Sequence, residues 1–272
     1  MALLEMHGVW KTFNPGTPDE VRALRGLDLA IEPGSFVVVI GTNGSGKSTT
    51  LNAVAGAFPI DAGTIRLAGR ELSGWPEHRR ARLIGRVFQD PLAGTSPGLS
   101  IAENLALAAG RGLPRGLRRA VPRRRITELR DRVRPLGMGL EDRLDNPIGS
   151  LSGGQRQALT LLMATYRRPE LLLLDEHTAA LDPRSAEQVI RLTEQVVRRQ
   201  ELTTMMVTHS MAHAASLGDR LVMVHQGRVI FDASGAAKRR LRPNDLLAKF
   251  EALRRSDQLD ETAAQLLREV YV

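Results

Sequence analysis

Two short runs of purely apolar residues stand out along the chain, FVVVI at 36–40 and LLLL at 171–174. Unbroken apolar runs of this length predict strands buried on both faces of a sheet. TTMMV at 203–207 and IGRVF at 84–88 predict two more. Elsewhere the period lengthens: Val189, Leu192, Val196 and Val197 recur at helical spacing over residues 184–199, and residues 101–109 repeat that spacing. Near the N-terminus, residues 3–9 and 23–31 predict two strands separated by Asn14-Pro15-Gly16-Thr17-Pro18, with another strand at 64–67. Residues 221–225 and 228–231 predict a hairpin around Gln226-Gly227. Pro76, with Ser73 as a cap, predicts a short basic helix over 76–82. Strands alternating with helices predict an α/β fold.

Residues 110–150 differ in kind. They are rich in Arg, punctuated by Pro114, Pro122, Pro135 and Pro147, and poor in strand formers. This composition predicts a helical subdomain inserted between two halves of the sheet. A helix is expected from Leu151 to about Arg167, stopped by Pro169, and the residues after the hairpin are expected to be helical with a break near Ser256.

A chain of 272 residues accommodates one large α/β domain with appendages. The absence of Cys excludes disulfides and thiolate metal sites. No apolar run approaches membrane-spanning length and the N-terminus lacks the pattern of a signal peptide, so a cytoplasmic location is expected. The net charge of +8 is carried by Arg, since Lys occurs only at 11, 47, 238 and 249. Ten arginines fall between Arg111 and Arg134. A cluster of this sort meets nucleic acid, anionic lipid or an acidic partner, or is a solvated helical face.

The most specific chemistry follows the first apolar strand. Gly41-Thr42-Asn43-Gly44-Ser45-Gly46-Lys47-Ser48 fits G-x-x-x-x-G-K-[ST] without a gap, and Thr49 continues into the next helix. Three glycines let the backbone turn its N–H groups toward phosphate oxygens. The helix that follows adds its positive dipole end, Lys47 reaches terminal phosphates, and the Ser48 hydroxyl suits Mg²⁺. A bare Gly-rich turn would not need the lysine and serine in these places, so nucleoside triphosphate binding is expected.

Farther along, Leu151-Ser152-Gly153-Gly154-Gln155 precedes a helix, where a Ser hydroxyl and two glycine N–H groups make a second anion site or simply a helix cap. Together with the phosphate loop and Leu174-Asp175-Glu176, this pentapeptide resembles the signature of ABC transporter ATP-binding subunits, and the likeness covers roughly residues 2–235. The resemblance implies a P-loop NTPase core sheet with an N-terminal antiparallel β-subdomain and an inserted α-helical signature subdomain at about 90–160. Residues 236–272 would form a short helical extension. It also implies ATP and Mg²⁺ as ligands. Residue by residue, it makes Asp175 a metal carboxylate beside Ser48, and Glu176 the base that activates or positions water. Gln89 becomes the residue sensing Mg²⁺ and the transport pathway, and His209 the contact to the γ-phosphate. Asp182, in Ala180-Leu181-Asp182, would cross a dimer interface. Ser152, Gly153, Gly154 and Gln155 would cap the γ-phosphate held by a second copy. Phe13 would stack on adenine, although alone it reads equally as core.

The partners implied are integral membrane permease subunits, a second copy of the chain and an extracytoplasmic solute-binding protein. The subunit would sit peripherally on the inner face of the membrane. The stretches 95–104 and 175–178 resemble ATPases serving amino-acid-type importers, so import of a small organic solute is expected. No nucleic acid is expected; a non-transport ABC ATPase acting on nucleic acid or ribosomes, which the high pI favours, is the alternative, as is an exporter subunit. His177 departs from the family pattern, which places Pro there, and adds a titratable group beside the expected nucleotide.

Overall fold

Each apolar run becomes a strand buried on both faces. The protein was described as a computed structural model covering residues 2–113 and 123–253. In chain order its elements are β1 (Leu4–Phe13), β2 (Val21–Ile31), β3 (Phe36–Gly41), α1 (Lys47–Ala55), β4 (Ala62–Leu67), β5 (Arg70–Glu71), α2 (Glu77–Arg80), β6 (Ile84–Val87), α3 (Ile101–Ala109) and α4 (Arg123–Val133). They continue with α5 (Gly153–Thr165), β7 (Leu171–Asp175), α6 (Pro183–Gln200), β8 (Thr203–Val207), α7 (Met211–Ser216), β9 (Arg220–His225), β10 (Arg228–Ser234) and α8 (Gly235–Arg240). Residues 243–253 are also helical.

Two sheets result: an antiparallel one of order β2-β1-β4-β5, and a six-stranded one of order β10-β9-β3-β8-β7-β6. In the larger sheet β9, β3, β8, β7 and β6 are parallel, and β10 runs antiparallel at one edge. Alternate residues feed two separate cores. Val37, Val39, Leu171, Leu173, Met205 and Val207 pack with α1 and the antiparallel sheet. Val38, Ile40, Leu172, Leu174 and Met206 pack with Leu105, Leu129, Leu159 and Ile190 of α3 to α6. Neither face meets water, which is why these strands carry no polar alternation.

The register sets the site. Val39 lies opposite Val207, Val207 opposite Asp175, and Leu174 opposite Val87. The carboxyl ends of four neighbouring strands, β3, β8, β7 and β6, therefore stop at nearly one level. Open parallel sheets bind ligands at this edge.

Several local expectations need correction. β1 and β2 are longer than predicted and pair out to Phe13–Val21, because their outer ends carry polar residues that mask the strand period. The short basic helix starts at Glu77 with Pro76 before it, and Ser73 does not cap it; the Ser73 hydroxyl accepts the Ile65 N–H at 3.0 Å. α7 has no counterpart in the predicted elements. The expected break near Ser256, with Pro114 and Pro122, lies outside the described residues.

The described arginines of the 111–134 cluster are largely engaged. Arg111 donates to the Arg167 carbonyl at 2.9 Å, Arg130 to the Glu141 carbonyl at 3.2 Å, and Arg134 pairs with Asp131 at 3.2 Å. Arg132 stacks 4.3 Å from the Tyr166 ring centroid and pairs with Glu128 at 3.4 Å. α4 seats Leu129 and Val133 in the core.

A buried cation closes the end of α1. Arg80 is 1% exposed and meets only carbonyls: Ala53 at 2.7 Å, Val54 at 3.0 Å, Trp75 at 2.9 Å and Ser73 at 3.2 Å. The last carbonyls of a helix lack partners and carry its negative dipole end, so a guanidinium there is stabilised twice over. Gly56 follows in left-handed conformation, and a Cβ on it would lie 2.7 Å from Arg80 Nε.

His177 is likewise inside, at 1% exposure, with Nε2 3.1 Å from Thr193 Oγ1 of α6. The titratable group expected beside the nucleotide is instead a neutral buried ring: burial, then the nearby His213, pushes its pKa down to about 4. The unfolded chain takes up a proton below its ordinary pKa that the folded ring refuses, so stability falls as pH drops from about 6.5 toward about 4. His177→Gln keeps a polar reach to Thr193 without titrating. Between about pH 7.5 and about pH 5 it should lose roughly 2 kcal/mol less stability than the parent in urea unfolding. Equal losses in the two proteins would contradict this assignment.

Candidate active site

β3 ends at Gly41 and α1 begins at Lys47, so the chain reverses within five residues. A Cβ on Gly41 would lie 2.2 Å from the Val224 carbonyl oxygen, and Gly46, at φ +101°, would place one 2.5 Å from the Ala23 carbonyl oxygen. No side chain fits at either position. Gly44 is also left-handed at φ +75°, but space is open where its Cβ would point. Asn43 and Gly44 form the exposed tip, and Thr49 is half-buried in the first turn of α1. Ser45 Oγ is buried without a hydrogen-bond partner among the described residues. Lys47, 5% exposed, donates from Nζ to the carbonyls of Gly41 at 2.9 Å and Thr42 at 2.8 Å. Burial pushes its pKa down, while the carboxylates of Glu176 and Asp175 pull it up.

The two acids come from the end of β7, two strands over. Asp175 Oδ1 stands 3.4 Å from Ser48 Oγ. Glu176 adopts a left-handed backbone at φ +44°, unusual for a residue other than glycine and costing on the order of 1–3 kcal/mol. Two hydrogen bonds hold it there: its N–H donates to the Val207 carbonyl at 3.0 Å and its carbonyl accepts from Ala179 at 2.9 Å. The turn aims the carboxylate at His209, whose Nε2 lies 2.5 Å from Glu176 Oε1. His209 follows β8, between the phosphate loop and the acids. Gln89 lies two residues past β6 and is exposed. The preceding carbonyl, of Phe88, accepts from Gln157 Nε2 of α5 at 3.1 Å.

The second candidate anion site lies elsewhere. Ser152 caps α5 by accepting the Gln155 N–H at 3.2 Å, and Gln155 Oε1 accepts the Ser152 N–H at 3.2 Å. This capping box leaves Ser152 and Gly153 on the surface. Cβ atoms on Gly153 and Gly154 would come 3.0 Å from Leu181 and 2.9 Å from Ser185, so the glycines let the start of α6 pack closely. Asp182 caps α6 through the Ser185 N–H at 3.0 Å. Among the described residues, no hydrogen bond joins the Ser152–Gln155 segment to the phosphate loop. Phe13, at the end of β1, is half-buried and edge-on to Phe58, with centroids 5.2 Å apart.

The site thus gathers Lys47, Ser48, Asp175, Glu176, His209 and Gln89 at one sheet edge and leaves Ser152, Gly153, Gly154, Gln155 and Asp182 apart from it, with Ser152, Gly153 and Asp182 exposed and Gly154 buried. The orphaned Ser45 hydroxyl, the open space at Gly44 and the inward Lys47 fit a polyphosphate. Ser48 and Asp175 offer hard oxygens of the kind Mg²⁺ takes. Sequence reasoning missed Arg86. It is the one charged residue of β6, and its guanidinium lies 3.3 Å from Asp175 Oδ2. An Arg inside an apolar strand three residues before Gln89 was the available signal.

Residues 24–179 match the family model described as ABC transporter. The chain is 41% identical over 251 residues to the tyrosine transport ATP-binding protein of Clostridioides difficile, covering 92% of this chain and 99% of that one. It is 36% identical to the lipoprotein-releasing system ATP-binding protein LolD 1 of Caulobacter vibrioides, covering 81% of this chain and 92% of that one. The fold matches the ATP-binding cassette MJ0796, seen as a dimer in a post-hydrolysis state with ADP and Pi. The TM-score is 0.72 at 26% identity, over 85% of this chain and 98% of that one. The extent of these matches and the phosphate-loop geometry lead to one conclusion: the chain belongs to the ABC transporter family, as one of its ATP-binding, ATP-hydrolysing subunits.

Proposed function

We propose that two copies of this chain close head to tail around ATP, and that this closure drives a separate membrane permease importing a small organic solute such as an amino acid. The observation that carries the reading is the separation of two half-sites: a phosphate loop with its acids on one surface, and an exposed, capped helix start with two glycines on another. Each half lacks the other within its own chain, and a second copy supplies both. The dimeric MJ0796 cassette supports this arrangement. Among the described residues no helix is long and apolar enough to cross a membrane. In this reading a separate permease holds the subunit at the membrane's inner face. The relative named for tyrosine transport supports the solute class, and import adds a solute-binding protein as a further partner.

In this reading Lys47 leaves the Gly41 and Thr42 carbonyls for β- and γ-phosphate oxygens, which offset the charge its burial disfavours. Ser48 and Asp175 hold Mg²⁺, which neutralises charge on the phosphates when bound. Glu176 accepts a hydrogen bond from the attacking water, and His209, now against that carboxylate, turns to the γ-phosphate. Ser152 and the N–H groups after it cap that phosphate from the other copy. Phe13 stacks on adenine.

Glu176→Gln tests the assignment. The amide keeps the size but cannot accept a proton, so hydrolysis should fall by roughly 10²–10⁴. Binding should persist, because Lys47, Ser48 and Asp175 remain. With the γ-phosphate retained, the mutant should elute as a dimer with ATP and as a monomer without it, with ADP unable to substitute. Wild-type turnover in the mutant would remove Glu176 from its role. A mutant that binds ATP yet stays monomeric at about 10⁻⁵ M would remove the sandwich from the isolated chain.

A further inference from the structure

The end of β6 carries a guanidinium in a place that strand packing does not ask for. Arg86 is flanked by Gly85 and Val87, and its side chain is only 14% exposed. Its Nη2 donates to Asn52 Oδ1 of α1 at 2.5 Å and to Asp175 Oδ2 at 3.3 Å. The planar group also stacks over Phe88, 4.4 Å from the ring centroid. Register explains the meeting: Arg86 pairs with Leu173, and Asp175 lies two residues beyond Leu173 on the same sheet face, which is the face that packs against α1.

Asn52 and Ser48 are four residues apart in α1, so they share one side of that helix. The contacts form a closed circuit: Ser48 to Asp175 Oδ1, Asp175 Oδ2 to Arg86, Arg86 to Asn52, and Asn52 along the helix back to Ser48. A carboxylate has two oxygens, and here each faces a different way. The guanidinium holds one, which fixes the other toward Ser48. Arg86 is in turn held by Asn52 and the Phe88 ring, so it is a rigid partner and not a mobile surface charge.

We propose that Arg86 is a positioning residue for the divalent cation of the bound nucleotide, acting through Asp175 by locking its Oδ2 so that Oδ1 stays directed at the cation beside Ser48. The inference rests on Asp175 being the metal carboxylate. Its positive charge repels a cation, but Asp175 lies between and neutralises that charge. Orientation is then the larger effect, as for other groups that hold a metal ligand from behind. A loss of such an outer partner lowers metal affinity by about 10–100-fold. Phe88 begins the segment that carries Gln89, so the same guanidinium ties that segment to the metal carboxylate.

Equilibrium ATP binding by the full chain, titrated with Mg²⁺ and repeated in EDTA, separates metal positioning from general damage. Arg86→Met should raise the Mg²⁺ concentration at half-effect by about tenfold. Metal-free ATP affinity should stay within about twofold, because Lys47 and the loop N–H groups remain. Mn²⁺ paramagnetic resonance should report the same weakening directly. Arg86→Lys keeps the buried charge but lacks the planar group whose stacking on Phe88 fixes Nη2 between Asn52 and Asp175. It should still raise the midpoint severalfold, and it serves if the Met variant fails to fold. Asp175→Asn should remove most of the Mg²⁺ response. A Mg²⁺ midpoint in both Arg86 variants equal to or below the parent's, with Asp175→Asn impaired, overturns the role of Arg86 alone. Equal losses with and without metal also overturn it, by making Arg86 structural. An Asp175→Asn variant with the parent's Mg²⁺ response overturns the metal assignment itself.

Discussion

The phosphate-loop half of the site depends on four parallel strands ending side by side. β3, β8, β7 and β6 are adjacent, and hydrogen bonding across them brings Val39, Val207, Asp175 and Val87 to nearly one level. β3 and β7 are lined by apolar residues on both faces, so their polar groups gather where the strands run out. The edge then receives Lys47, His209, Glu176 with Asp175, and Gln89 from four loops of fixed origin. Slipping one strand by a single residue would reverse its side chains between two dry cores, and that penalty holds the register.

Buried charge in this fold sits at the ends of elements. Lys47, Arg80 and Arg86 are all largely buried, and each is held by oxygens supplied from a strand end or a helix end. Arg80 is satisfied wholly by carbonyls and serves the architecture by closing α1. Lys47 is held by the carbonyls of Gly41 and Thr42, which phosphate oxygens would replace in the proposed reading. Glu176 stores strain in its backbone, and hydrogen bonds to the end of β8 and within its own turn maintain it. Rigid strands on either side are what keep these arrangements in place.

The sequence revealed the strands of the larger sheet because burial on both faces erases polar alternation, and it revealed the phosphate loop because glycine spacing has a steric cause. Gly41 and Gly46 are required by carbonyls of Val224 and Ala23, which lie far away in sequence. The pattern was readable without knowing those partners. The partners of Arg80, Arg86 and His177 were not readable, since the deciding ones lie on other elements: Ala53 and Val54 for Arg80, Asn52 and Asp175 for Arg86, and Thr193 for His177. His177 looked like a group added beside the ligand, yet its partner is Thr193 of α6. Ser73 looked like a cap because its offset was suitable, whereas β4 had already claimed its hydroxyl. Ser152 was readable as either a cap or an anion site. It is a cap in this chain, and an anion bound by a second copy would use the same exposed helix start.

In the proposed mechanism each hydrolytic site is shared between two copies, with Lys47 from one and Ser152 from the other. Mixing two inactive variants tests it most directly. Lys47→Ala and Ser152→Arg should each be inactive alone. In their heterodimer, one site carries both lesions and the other carries neither, so hydrolysis should reappear on mixing. If the mixture hydrolyses ATP no faster than the average of the separate preparations, while ATP-dependent heterodimers form, the two residues do not serve one site across the interface.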